Sequence, residues 1–208
     1  MSGTRKYELR QRAEQQAETR RRIVEATVEL HCTVGPAATQ ISEIARRAGV
    51  QRVTVYNHFP DEAELFAACS AHWRALHPAP EPTAWLELAD PGQRLRSGLC
   101  ELYSWYRETE SMLANVLRDV ELLPALRSVV DQGLGAYLNT VRRTVGEPIT
   151  AGSRGRRRSR IDAALRAATA FHCWRQLAPL GDADAAELAA GLVELAANLQ
   201  PASGPARP

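Results

Sequence analysis

Apolar side chains recur along this chain at three- and four-residue intervals, with polar residues between them. Ile23, Thr27, Leu30 and Val34 form one stripe, closed by Gly35, and Ile41, Ile44, Ala45 and Ala48 form a second, closed by Gly49. Such spacing places each set on one face of a helix, and glycine ends a helix because it alone enters the left-handed region freely. Val55 and Phe59 continue the pattern. Asp61-x-x-Glu64 then reads as a capping box opening a helix with Leu65, Phe66, Cys69, Trp73 and Leu76 along one side. Prolines 78, 80 and 82 break that helix. Asp90-Pro91 opens a long helical stretch with Leu95, Leu99, Leu102 and Tyr106. Pro124 fits the first turn of another helix, carrying Leu126, Val130, Leu134, Leu138 and Val141. Residues 146–159 read as a flexible basic loop. Ile161, Leu165, Ala168 and His172 share a side of the next helix, with Phe171 and Trp174 adjoining. After Pro179 and Gly181, Leu188, Leu192, Leu195 and Leu199 follow in register, flanked by Ala185, Ala189 and Ala196. The pattern predicts an all-α chain.

Residues 39–59, TQISEIARRAGVQRVTVYNHF, carry the most specific signal. Thr39 suits an N-cap, Val50 fills the corner after Gly49, and Gln51 or Arg52 starts a second short helix ending near His58. Ala45 and Ala48 are small enough for the two helices to approach closely. Val55 and Phe59 point inward. Arg52, Val53, Thr54, Tyr56, Asn57 and His58 are left facing away from the core or along its edges. Two short helices about a glycine turn, with polar groups outward on the second, make a helix-turn-helix of the kind that reads DNA in the major groove.

Composition narrows the reading. Residues 1–60 hold ten basic and six acidic side chains, residues 61–208 sixteen and eighteen, for a net charge of +2. The basic excess therefore accompanies the helix-turn-helix. Arg5, Lys6, Arg10, Arg12 and Arg20 to Arg22 form a basic arm suited to phosphates or a minor groove. Cys32, Cys69, Cys100 and Cys173 form no CxxC pair, which fits four reduced thiols in a cytoplasmic protein. No apolar run approaches the roughly 20 residues of a membrane span, and the charged start lacks the apolar core of a secretion signal. There is no nucleophile elbow, phosphate loop or paired ligand motif, so the chain reads as a non-enzyme without a cofactor. Cys69, His72 and His77 make the nearest approach to a metal set, and a metal-sensing regulator is the alternative they raise. A helical enzyme or a structural dimer without specific DNA binding would leave the outward residues of the second helix unexplained.

The ordered run of Ile44, Ala45, Ala48, Gly49, Val50, Thr54, Val55, Tyr56, His58 and Phe59 resembles the TetR family of transcriptional regulators, and the resemblance covers residues 19–76. It implies a basic arm over 1–18, a DNA-binding domain over 19–60, a ligand-binding and dimerisation domain over 61–200 with a connecting helix at 61–76, and a tail at 201–208. The resemblance implies that Arg52, Val53 and Asn57 face base edges. Arginine can pair guanine, asparagine adenine, and a valine methyl can touch that of thymine. Thr39, Ser42, Arg47, Gln51, Thr54, Tyr56 and His58 would complete the contact set, mostly on phosphates. The lysine usual just after the phenylalanine is replaced here by Asp61 and Glu62, which removes one positive anchor.

The same resemblance implies a homodimer on a palindromic operator. Ile161, Leu165, Ala168, Leu188, Leu192, Leu195 and Leu199 would pair in a four-helix bundle. It also implies a small-molecule pocket among the middle helices. Trp73, Trp85, Tyr103, Trp105, Tyr106, Met112, Tyr137, Phe171 and Trp174 would supply walls, and Asn115, Arg118, Asp119 and His172 polar groups. Ligand binding would shift the connecting helix and release the DNA.

Overall fold

In the computed structural model, residues 2–199 are described, with side chains from Tyr7 onward. The 201–208 tail and the side chains of Arg5 and Lys6 lie outside the described residues. Among the described residues the secondary structure is helical, with no strand. The chain forms two compact units, and both are discontinuous in sequence. One comprises Met1–Pro78 with Thr109–Leu134, the other Ala79–Glu108 with Gly135–Pro208.

The first unit is built on α1 (Ser2–Thr33), which runs unbroken through the segment read as a basic arm. Its inner half contributes Ile23, Val24, Val28 and Leu30 to a core shared with α2 (Ile41–Ala48), α3 (Arg52–His58), α4 (Glu62–Leu76) and α6 (Glu110–Asp119). α7 (Pro124–Val130) packs on α4. Val34 and Leu76, placed on the inner stripes by their spacing, are exposed, because each stands where its helix has already ended or is about to. Asp61 caps α4 as expected, accepting from the Glu64 amide at 2.8 Å.

α6 closes the end of α1. The last carbonyls of a helix lack partners within it. Here Asn115 Nδ2 donates to His31 O and Cys32 O, each at 2.9 Å, and an Arg118 Nη donates to Val34 O at 3.0 Å. Asp119 accepts from the Ala37 amide at 3.0 Å and is held by Arg118 at 2.7 Å. Gly35 turns the chain there at φ 92°, and a Cβ would collide with Arg118 and Asp119. A side chain at this position would be strained by its backbone conformation and would displace the Arg118 and Asp119 groups that close α1.

The second unit contains a short 3-10 turn (Pro82–Glu87), α5 (Pro91–Glu108), α8 (Ala136–Thr150), α9 (Gly155–Ala168), α10 (Phe171–Leu177) and α11 (Asp182–Asn198). Leu95, Leu99, Leu102 and Tyr106 of α5 are fully buried, as their spacing predicts. α11 buries its small residues Ala185, Ala186, Ala189, Ala190, Val193 and Ala197 against the unit. Trp85 donates its indole N–H to Glu101 at 3.0 Å.

Three expectations fail in detail. The helix begun at Pro124 is interrupted by a π turn, Asp131–Gly135, and that turn straddles the boundary between the units. The basic loop shrinks to residues 151–154, since α8 continues through Pro148 to Thr150 and α9 begins at Gly155. Burial of Val145, Gly146 and Thr150 outweighs the local glycine and proline signals. Two of the arginines that follow the loop are anchored instead. Arg157 donates to Ala197 O at 2.8 Å and Arg160 to Leu199 O at 2.6 Å, placing cations at the C-terminal end of α11. Finally, α9 ends at Ala168, so His172 falls in the first turn of a new helix and is exposed.

His31 is buried beside Phe66, and burial lowers its pKa to about 4, partly offset by the charge of Asp119. Its folded value lies below the unfolded 6.5, so the unfolded chain takes up the proton first as pH falls. Thermal or urea unfolding should show a stability loss of about 2–3 kcal/mol from His31 between pH 7 and pH 4.5. His31→Leu should flatten that slope, and an unchanged slope would show that His31 does not drive it.

Candidate nucleic-acid interface

The helix-turn-helix assembles from local rules. Ile44, Ala45 and Ala48 bury one face of α2, and Gly49 ends it at φ 65° with its amide bonded to Arg46 O. Val50 packs against the core from the corner. On α3, Val55 and Phe59 are buried and fix the helix by one side. The opposite side carries Arg52, Val53, Tyr56 and Asn57, all exposed. Val53 is 57% and Tyr56 49% exposed, which leaves an apolar methyl pair and a phenol in solvent beside a guanidinium and a carboxamide. Thr54 and His58 stand half-buried at the edges, and Gln51 is exposed at the N-cap position.

Two residues depart from their expected roles. Thr39 does not cap α2. Its hydroxyl donates to Gly35 O at 2.7 Å and Gln40 occupies the cap position without a side-chain bond. Arg47 is bonded to Glu43 at 3.0 Å and to Glu29 at 2.7 Å, so its charge is spent within the unit rather than offered to a phosphate. Glu43 also accepts from Arg46, and the two arginines hold its carboxyl down at about 2. Ser42 stays exposed, its hydroxyl 3.4 Å from Gln40 Oε1.

Sequence alone groups Arg20 with the basic arm. In the fold it donates to His58 O at 2.7 Å and lies 4.0 Å above the Phe59 ring. A cation is thus placed on the C-terminal end of α3, where the helix dipole favours it. The spacing of Arg20 from Phe59 carries no local signal that could have revealed this.

Residues 23–69 match the family model described as bacterial regulatory proteins, tetR family. Over these residues the chain is similar to the N-terminal domain of TetR-family regulators. It is 40% identical over 50 residues to the HTH-type transcriptional regulator AcrR of Shigella flexneri, covering 24% of this chain and 23% of that one. It is 34% identical over 122 residues to an HTH-type transcriptional repressor of Mycobacterium tuberculosis, covering 56% and 63%. The chain thus spans less than two thirds of these relatives. In fold it is similar to the TetR-family regulator PfmR of Thermus thermophilus, at 21% identity and a TM-score of 0.54 over 84% of this chain and 96% of that one. The regulator FadR of Bacillus subtilis, solved in complex with stearoyl-CoA, gives 21% and 0.52 over 85% and 97%.

Beyond the helix-turn-helix, the residues expected to line one pocket divide between the units. Met112 lies in the core of the first unit, and Trp73 packs against that core and stacks on His77 at 3.7 Å. Asn115, Arg118 and Asp119 are engaged in closing α1, where they act as structural ties. Tyr103, Trp105, Phe171 and Trp174 are buried in the second unit. Tyr103 and Tyr106 donate to Ala168 O and Thr169 O, each at 2.7 Å, and Phe171 and Trp174 pack at 5.4 Å between centroids. These rings close upon one another. His172 is exposed and does not join them.

The association residues also separate. Ile161, Leu165 and Ala168 are enclosed in the second unit's own core. Leu188, Leu192, Leu195 and Leu199 stand outward on α11, each about half exposed. The suggested metal set also dissolves into packing. Cys69 is buried against Val24 O, its thiol pushed up to about 12 by burial, and His77 Nδ1 lies 3.2 Å from Trp73 O.

Arg20→Ala should destabilise the first unit by about 1 kcal/mol in the absence of DNA, from the lost helix-end bond and ring contact. Hydrogen exchange should localise the loosening to α3. Unchanged exchange there would show that Arg20 belongs to the arm and not to the reading head.

Proposed function

We propose that this protein is a cytoplasmic DNA-binding transcriptional regulator that reads a palindromic operator as a homodimer and releases it when a small molecule binds. The observation that carries the reading is α3 itself: anchored by Val55 and Phe59, it leaves Arg52, Val53, Tyr56 and Asn57 in solvent with no structural role. Arg52 and Asn57 supply bidentate donors and acceptors for base edges, and Tyr56, Thr54 and Ser42 supply phosphate contacts. The matched relatives are regulators, and one is a repressor.

Dimerisation is supported by α11. Its outward leucines 188, 192 and 195 line an open groove with Gly191, which leaves a notch for a crossing helix. Covering these side chains is worth about 1 kcal/mol each, enough with further contacts to hold two chains together. Two copies would carry two reading heads to half-sites about one helical turn apart.

Release by a ligand is supported by the aromatic interior of the second unit and by FadR, whose structure holds stearoyl-CoA. The Trp174 indole N–H is buried there without an acceptor among the described residues, a donor that an entering polar group could use. α4, which follows α3 almost directly, is the natural lever. A ligand that favours the non-binding arrangement by about 1–3 kcal/mol would weaken DNA binding some five- to 150-fold.

Selection from a random DNA pool at stated salt should recover a palindrome. Arg52→Ala should weaken its binding by about 1–3 kcal/mol with the helical content intact. Recovery of no motif, or equal binding by the variant, would overturn the reading. In sedimentation, Leu192→Glu with Leu195→Glu should convert a dimer to a folded monomer, and a persistent dimer would move the interface off α11.

A further inference from the structure

A cleft of about 260 Å³ opens between α8 and α9 in the second unit, and none of the outward α11 leucines lines it. Its walls hold four arginines, Arg142, Arg143, Arg158 and Arg166, against two carboxylates, Glu147 and Asp162. Arg158 is already bonded to Asp162, with Nε 3.0 Å from both oxygens. Glu147 is exposed at the rim. Among the described residues, Arg142, Arg143 and Arg166 have no carboxylate within ion-pair distance.

Arg142 is the informative one. Its guanidinium is half-buried, donating to Asn139 Oδ1 at 2.6 Å and to Thr169 Oγ1 at 3.3 Å. Both partners are neutral. Burial lowers its proton affinity, the nearby Tyr106 hydroxyl offsets part of that, and repulsion from Arg166 lowers it again. The end of α9 offers only about half a negative charge to these two cations. A partly desolvated cation beside a like charge, with no counter-ion, is an unfavourable arrangement that a bound anion would relieve.

We propose that this cleft is a binding site for a small dianion, a molecule carrying a phosphate group or a pair of carboxylates. The forks of Arg142 and Arg166 grip the anion, Arg143 adds charge at the mouth, and Asn139 orients Arg142. Planar guanidinium groups suit such oxyanions because each donates two parallel bonds. The volume lies below the roughly 300–1,000 Å³ of drug-sized pockets, which selects a compact ion over a bulky ligand. The site is independent of DNA reading and stands whether or not the operator is found.

The test is calorimetric titration of the full chain, without DNA, at low ionic strength. Inorganic pyrophosphate and succinate are the two probes, and they separate the phosphate from the dicarboxylate source. At least one should bind saturably, one ion per chain, and Arg142→Gln and Arg166→Gln should each weaken it about tenfold or more. Arg156→Gln removes the same charge from the first turn of α9, outside the cleft, and should leave affinity unchanged. If Arg142→Gln misfolds by circular dichroism, the exposed Arg166→Gln decides. Absence of saturable binding by both probes, or equal weakening by Arg156→Gln, would overturn the proposal.

Discussion

The reading head depends on how α1 ends. The carbonyls of His31, Cys32 and Val34 are met by Asn115 and Arg118 of α6, while Asp119 takes the Ala37 amide beyond the turn. These bonds fix the direction in which the chain leaves α1, and so the start of α2. Gly49 then sets α3 relative to α2, and Arg20 ties the far end of α3 back to α1. The exposed face of α3 is therefore held at both ends. The bonds made by Arg118, Asp119 and Arg20 are charge-assisted and so stronger than the neutral amide bonds of Asn115.

This explains which parts of the chain are legible in its sequence. The helix-turn-helix can be read because its determinants are local: the 41, 44, 45, 48 spacing, the glycine stop, the paired Val55 and Phe59, the Asp61 cap. The closure of α1 cannot. Asn115, Arg118 and Asp119 look equally like polar groups lining a pocket, and their partners lie more than eighty positions away in sequence. Arg20 is ambiguous for the same reason. A surface arginine near a basic run reads as a phosphate contact until its partner is seen.

The C-terminal helices teach a related lesson. Periodicity identifies two apolar stripes, one on α9 and one on α11, and assigns both to an association surface. Only packing distinguishes them. α11 turns its alanines and Val193 inward, where small side chains allow close helix approach, and leaves its leucines outside. α9 does the opposite, committing Ile161 and Leu165 to the interior. The arginines that follow the α8 turn look like a solvated loop because glycine and proline flank them. In the folded unit Arg157 and Arg160 secure the end of α11, while Arg158 and Arg166 help line the charged cleft.

The chain passes between its two units three times, after residues 78, 108 and 134. During synthesis, α1 to α4 emerge from the ribosome first, with the end of α1 still uncovered. α6, which satisfies it, follows only after α5 has been made, and α5 belongs to the other unit. Domains that fold as they are synthesised usually do so from the N-terminus onward. Here the reading head must wait for residues that arrive late, so a shortened message would yield α1–α4 without the bonds that orient the recognition surface. The interleaving makes a complete head a mark of a chain translated well past its middle.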